Sequence, residues 1–237
     1  MNNANNVKIL LVEDDKEINT LVYKILLTEG FDIVQVYDGI AAMDNFKFDG
    51  TFQLVILDLM IPYIDGFEVI RRIRQKSIVP ILIISSKNTE MDKVAAISMG
   101  GDDYIVKPFS LNEFIVRVKA LLRRYIYFNN EQDSQDSIIN YKDLVINMND
   151  YTIVKKGNLI KSTPTEFEIF KLFLLNPNKV FTKSQIYDSI WGIDAIKNDN
   201  TIMVHIKRLR DKIEDDINKQ EYITTVWGIG YRLGDLI

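Results

Sequence analysis

A chain of 237 residues is long enough for two domains, each able to bury most of its own apolar surface. With 47% hydrophobic and 26% charged residues it reads as a soluble globular protein, and no apolar run approaches the roughly 18 residues that a bilayer span requires. The net charge of −4 argues against a generally polycationic nucleic-acid binder, and zero cysteines leave neither a disulfide framework nor a thiolate metal site.

The first residues, MNNANNVKIL, form a polar tail without the basic and then apolar pattern of a secretory signal, so the expected compartment is the cytoplasm. From Val7 to Arg124 short apolar strands alternate with amphipathic helical patterns. The strands are expected at 7–12, 31–36, 52–58, 78–85 and 103–107. Between them lie KEINTLVYKILLTEG, stopped by Gly30; GIAAMDNFKF; GFEVIRRIRQ; NTEMDKVAAISMG, closed by Gly100; and SLNEFIVRVKALLRR, opened by a Ser110 and Glu113 capping box. Five strands each followed by a helix predict an α/β fold, a doubly wound (βα)5 parallel sheet over residues 1–124. Residues 125–137 read as a flexible linker, because NNEQDSQDS (129–137) has no apolar residue. After it, 138–237 carries short strands, three helical patterns and a closing hairpin, an α+β arrangement. Thr165 is expected to cap the first of these helices, Thr182 the second and Asn200 the third. This last segment has 14 basic and 13 acidic residues, so only local clustering could bring it onto DNA.

The stretch QLVILDLMIP carries the first chemical signal. Leu54 to Leu57 is as apolar as a strand buried on both faces, and it ends on a carboxylate, Asp58, at the carboxyl edge where such sheets collect their chemistry. Strand one leads into Glu13-Asp14-Asp15, strand four into Ser85 and strand five into Lys107-Pro108. In a parallel sheet these groups share one rim. Carboxylates that close repel one another unless a divalent cation lies between them, and an all-oxygen donor set suits Mg²⁺. A carboxylate beside a metal, a hydroxyl and an ammonium is equipped to accept a phosphoryl group.

VEDD, LDLMIP, IISS and GGDDYIVKPF, at these spacings, resemble the receiver domain of response regulators over about residues 6–124. The resemblance implies that Asp58 is the phosphoacceptor and that Asp14 holds Mg²⁺ directly, Glu13 through water and Met60 through its backbone carbonyl. It further implies that Ser85 and Lys107 meet the phosphoryl oxygens and that Tyr104 is the switch aromatic. Lys93, Asp102, Asp103, Glu113, Arg117 and Arg124, on the face of the fourth helix, fifth strand and fifth helix, match the charged face through which the OmpR/PhoB branch dimerises on phosphorylation. Ser86 and Gly101 stand where the family commonly has Ala.

TPTEFEIF, the IWG turn, NTIMVHIKRLRDKIE and YITTVWGIGYRL resemble the OmpR/PhoB-type winged-helix domain over about 138–236, with wording closest to the VanR-like subgroup. Ile202, Ile206, Leu209 and Ile213 form one core-facing stripe, which predicts Thr201, Val204, Lys207, Arg208 and Asp211 on the opposite side and His205 at the margin. By resemblance Thr201, Val204 and Arg208 face bases, while His205, Lys207, Arg210, Thr225 and Tyr231 contact or position backbone. Trp227 occupies a wing position where many relatives carry Arg. The whole implies a transcription regulator rather than an enzyme, phosphorylated by a sensor histidine kinase, dimerising, binding tandem promoter repeats of double-stranded DNA and working with RNA polymerase, with no membrane partner. Two alternatives are a DNA-binding regulator independent of phosphorylation and a phosphatase using Asp58. The second is disfavoured because Met60 stands where a general acid is needed.

Overall fold

A computed structural model describes residues 7–46, 50–130, 138–192, 199–216 and 218–235, without the side chains of 127–130 and 199. It divides into two compact units with the boundary between Leu122 and Arg123. No helix among the described residues is long and apolar enough to cross a membrane.

The first unit is the expected doubly wound sheet. Strands β1 (Lys8–Val12), β2 (Asp32–Val36), β3 (Leu54–Leu57), β4 (Ile81–Ser85) and β5 (Asp103–Val106) pair in parallel in the order β2-β1-β3-β4-β5. The order reverses between β1 and β3, which opens the crevice where such sheets bind ligands. All four residues of β3 and all five of β4 are buried, as a sheet covered on both faces requires. Helices α1 (Lys16–Thr28), α2 (Gly39–Asn45), α3 (Gly66–Lys76), α4 (Glu90–Met99) and α5 (Leu111–Asn130) alternate with the strands. The first four open on side-chain caps, Asp15, Asp38, Asp65 and Thr89, each accepting backbone amides of the first turn. Helix α5 extends six residues beyond the expected domain end at 124, so part of the expected linker is helical. Linker positions 131–137 lie outside the described residues.

The second unit opens with an antiparallel four-stranded sheet, β6 (Ile138–Tyr141), β7 (Leu144–Asn147), β8 (Thr152–Lys155) and β9 (Asn158–Ile160). Three helices follow, α6 (Pro164–Leu174), α7 (Lys183–Trp191) and α8 (Asp199–Ile213), with β10 (Phe181–Thr182) between the first two. A hairpin of β11 (Ile223–Val226) and β12 (Gly230–Leu233) joins β10 in the order β10-β12-β11. Phe167, Phe170, Phe173, Tyr187 and Trp191 fill the core with Ile202, Ile206, Leu209 and Ile213, so the stripe expected on α8 faces inward. Two caps differ from expectation. Thr163, not Thr165, caps α6, because only at Thr163 does the fourth residue, Glu166, reach back to the cap amide (2.8 Å). Asn200 lies inside α8, which already includes Asp199.

Glu166 has a second role. It is fully buried, with Arg208 at 2.9 Å and Lys212 at 2.5 Å from its two oxygens, pinning α8 to α6. Burial pushes its carboxyl up, but the two cations together hold it below the usual carboxylate range. A depressed folded value means that stabilisation is complete above the usual carboxylate range and is lost as pH falls through the folded value. Glu166→Gln should therefore lower the stability of the second unit by roughly 3 kcal/mol at pH 7. In urea titrations repeated towards low pH the difference from wild type should shrink.

Candidate functional site

The acid site is made by the residues at four strand ends. Glu13 follows β1, Asp58 follows β3, Lys107 follows β5, and Ser85 closes β4. The backbone ladder continues into them: the amide of Glu13 donates to Val36 O (3.1 Å), that of Asp58 to Val12 O (3.0 Å) and that of Lys107 to Ser85 O (2.9 Å). Each chemical group thus leaves a backbone that is still held by the sheet. Asn19 adds a brace on α1, donating to the carbonyls of Glu13 (2.8 Å) and Val36 (3.2 Å).

Lys107 Nζ lies 2.6 Å from Asp58 Oδ2 and 2.7 Å from Glu13 Oε2. Glu13 and Asp58 are buried and Asp14 is exposed, and one carboxylate oxygen from each of the three falls within 4.8 Å of the others. Burial raises the Glu13 carboxyl to about 7 against the pull of Lys107. Burial alone would depress the Lys107 ammonium, but Asp58 and Glu13 together raise it above its ordinary value. Oxygen-only donors with one member open to solvent can hold a hard divalent cation. The second oxygen of Asp58 accepts from the Met60 amide (2.9 Å), which fixes the carboxylate plane, while the Met60 side chain is exposed. Gly66 lets the loop fold back beneath Asp58: a Cβ there would meet Asp58 O at 2.5 Å.

On the far side of the pocket Ser85 Oγ accepts from the Lys87 amide (3.4 Å), and the Tyr104 hydroxyl donates to the Lys87 carbonyl (2.6 Å). The Tyr104 ring is buried, and burial pushes its hydroxyl up to about 12. Of the residues expected at this site, Glu13, Asp14, Asp58, Met60, Ser85 and Lys107 stand at one rim, while Tyr104 sits inside β5 beside Ile83 and reaches the loop after β4 with its hydroxyl.

The charged face expected around α4, β5 and α5 is only partly outward. Asp102 is fully buried, bonded to Arg74 (2.6 Å) and to the Ile81 amide (2.9 Å), so it belongs to the interior because it terminates the approach to β5 and braces α3. Asp103 and Arg117 form a buried two-bond pair (2.8 and 2.7 Å), to which Glu113 adds a contact at 2.8 Å. Arg124 is buried, and Lys93 bonds Glu90 at 2.9 Å. What stands outward on α4 is apolar: Met91 is 84% exposed, with Val94 and Met99 beside it along the helix. Their spacing, opposite the buried Ala96 and Ile97, was the available signal for this stripe.

On α8 the expected outward face is only partly exposed. Thr201, Val204 and His205 are buried, the His205 ring lying 5.7 Å from Trp191, and Arg208 is engaged by Glu166. These positions do not present free groups to a groove, contrary to the expectation. Lys207 and Asp211 are exposed as expected, and Met203, one turn before Lys207, is exposed with them. Arg210 reaches across to the hairpin, donating to Ile223 O (2.8 Å) and Thr225 Oγ1 (2.9 Å), and so positions the wing. Tyr231 is buried under it, 5.6 Å from the guanidinium, while Trp227 at the hairpin tip is 87% exposed.

Residues 9–119 match the family described as response regulator receiver domain, and 157–233 match the C-terminal domain of transcriptional regulatory proteins. The transcriptional regulatory protein YcbL of Bacillus subtilis is 42% identical over 226 residues, 95% of this chain and 100% of its own. The regulatory protein VanR of Enterococcus faecium is 38% identical over 230 residues, 95% of this chain and 98% of its own. The crystal structure of DrrB, an OmpR/PhoB homologue of Thermotoga maritima, is 28% identical and superposes with a TM-score of 0.50, covering 97% of this chain and 99% of that one.

A divalent cation in the acid site should stabilise the folded protein in proportion to its saturation, about 2.7 kcal/mol at a hundredfold excess over its dissociation constant. Raising Mg²⁺ from zero into the millimolar range should therefore raise the thermal midpoint of the first unit. Asp14→Asn should remove most of that rise while leaving the metal-free midpoint nearly unchanged, because Asp14 is exposed and Glu13 and Asp58 are not.

Proposed function

The chain belongs to the OmpR/PhoB-type two-component response regulators, a receiver joined to a DNA-binding transcriptional regulatory domain, and from that premise we propose that Asp58 is its phosphoacceptor. The observation that carries this reading is the Lys107 ammonium set between Asp58 and Glu13, with Asp14 beside them. The donor is a sensor histidine kinase or a small acyl phosphate. The only histidine in this chain, His205, is buried in the second unit and cannot serve.

In the transfer a carboxylate oxygen of Asp58 forms a bond to phosphorus as the bond from phosphorus to the donor atom breaks, the leaving atom keeping the electron pair. Asp14, Asp58, Glu13 and the Met60 carbonyl would hold a Mg²⁺ ion, which would supply positive charge to the transferring oxygens. The Met60 amide keeps one Asp58 oxygen fixed, and Lys107 pairs with the arriving oxygens. The Ser85 hydroxyl donates to them from the end of the neighbouring strand β4. To do so it shifts its bond with the Lys87 amide, and Lys87 is tied by its carbonyl to Tyr104. Tyr104 is therefore the element through which the phosphoryl group is felt at α4.

Receivers then pair through α4, β5 and α5, with the Met91, Val94 and Met99 stripe as the apolar centre and Lys93 and Glu113 at its rim. The pairing brings two winged helices onto tandem promoter repeats about one DNA turn apart, roughly 10 base pairs, where the regulator meets RNA polymerase in the cytoplasm.

With acetyl phosphate and Mg²⁺ the wild type should give a retarded band on a phosphate-affinity gel, and Asp58→Ala should give none. Beryllofluoride should convert a sedimenting monomer into a dimer. Val94→Asp should keep the gel shift and lose the dimer. A dimer that persists in Val94→Asp would move the interface elsewhere, and a shift that persists in Asp58→Ala would remove the phosphoacceptor assignment.

A further inference from the structure

The wing and α8 enclose an open groove of about 460 Å³ lined by Thr182, Lys183, Met203, Thr225, Trp227 and Ile229. Its apolar members stand in solvent: Trp227 is 87% exposed, Ile229 56% and Met203 44%. An indole left in water is the costliest of these, and the backbone holds it there. Ile229 N donates to Val226 O (3.0 Å), closing a turn in which Gly228 has φ +75° and Trp227 takes the preceding position. The hairpin cannot slide inward to cover it, because Gly230 already lies so close to β10 that a Cβ would sit 2.0 Å from Phe181 O. Trp227 is presented rigidly.

Several cations of the second unit are tied into the fold: Arg208 and Lys212 by Glu166, Arg210 by the β11 strand, and Lys155 and Lys156 by Asp215. Each cation so engaged is less available to neutralise phosphates, which leaves room for contacts that are not ionic in the hold on a duplex.

We propose that Trp227 and Met203 form an uncharged clamp on double-stranded DNA, the indole lying against the sugar edges of the minor groove at the wing and the Met203 thioether against thymine methyl groups in the major groove. The proposal rests on the DNA-binding role of the second unit and adds which residues select the duplex and by what force. The duplex is the occupant because the groove lies between the wing and the outward stripe of α8, where Lys207 follows Met203 by one turn, and because Lys183 supplies a cation at its edge. The clamp favours A·T-rich sites, and its share of the affinity does not depend on salt.

The chain has two tryptophans, and Trp191 is 1% exposed, so quenching by acrylamide reports on Trp227 alone. Short A·T-rich and G·C-rich duplexes should be titrated into the full chain at roughly 50 to 200 mM salt, following anisotropy and quenching together. The A·T-rich duplex should protect Trp227 from acrylamide. Trp227→Ala should bind it at least about fivefold more weakly with an unchanged slope of log K against log salt, and Trp227→Phe should recover most of the loss. Trp227→Arg should steepen the slope by about 0.9, the signature of one added phosphate contact. Met203→Ala should narrow the preference for the A·T-rich duplex. Unchanged affinity in Trp227→Ala, or undiminished quenching in a bound complex, would overturn the clamp while leaving DNA binding intact. If the wild type bound neither duplex, the DNA-binding reading would fall and the clamp with it.

Discussion

The acid site depends on one ammonium lying between two carboxylates that have been taken out of water. Glu13 and Asp58 are both buried, and Lys107 stands within 2.7 Å of each. Burial raises the Glu13 carboxyl to about 7 even against Lys107, and without that ammonium it would be raised further, towards the protonated form that is a poor ligand. The arrangement is possible because the residues are not on free loops. They are the next residues along strands whose hydrogen-bond ladder has not yet ended, so their positions are fixed to the same degree as the sheet. Asp14, one residue further from the sheet than Glu13, is the exposed member through which a cation can enter.

This explains why the first unit was legible in the sequence. Buried parallel strands read as continuous apolar runs, and a charged residue directly after such a run has a predictable place at the carboxyl edge. Asp58 after Leu54 to Leu57 is the clearest case, and Glu13, Ser85 and Lys107 follow from the same rule. Asp102 shows its limit. It too stands at a strand end, but at the entry to β5, and no local feature announces that Arg74, 28 residues away, will reach it.

The second unit was less legible for a related reason. An apolar stripe fixes the side of a helix that enters the core, but it does not fix which flank is also covered. On α8 the buried arc runs from the stripe through His205 and Thr201 to Val204, and it leaves only Met203, Lys207 and Asp211 standing clear. The partner that draws Arg208 to that flank is Glu166, in the first turn of another helix, where a cap explains an acid fully and hides its longer reach. Helix α5 differs at its end: the apolar run Tyr125-Ile126-Tyr127-Phe128 carries the helical sequence past Arg124, and the helical backbone continues to Asn130.

The three surfaces differ in charge. At the acid site Lys107, Glu13 and Asp58 are joined by ionic contacts, which suits the proposed phosphoryl transfer because its product would add negative charge to the same spot. At α4 and at the wing the exposed groups are apolar: Met91, Val94 and Met99 on one, Trp227 and Ile229 on the other. A site built of charges is one that a phosphoryl group, on the proposed function, would disturb strongly, whereas apolar surfaces gain only by being covered. Ser85, Lys87 and Tyr104 are joined by two hydrogen bonds beside the entry of α4, and on the proposed function a displacement at the serine would pass along them. The core beside them is tight: at Gly101, just after α4, a Cβ would lie 2.4 Å from Ile83.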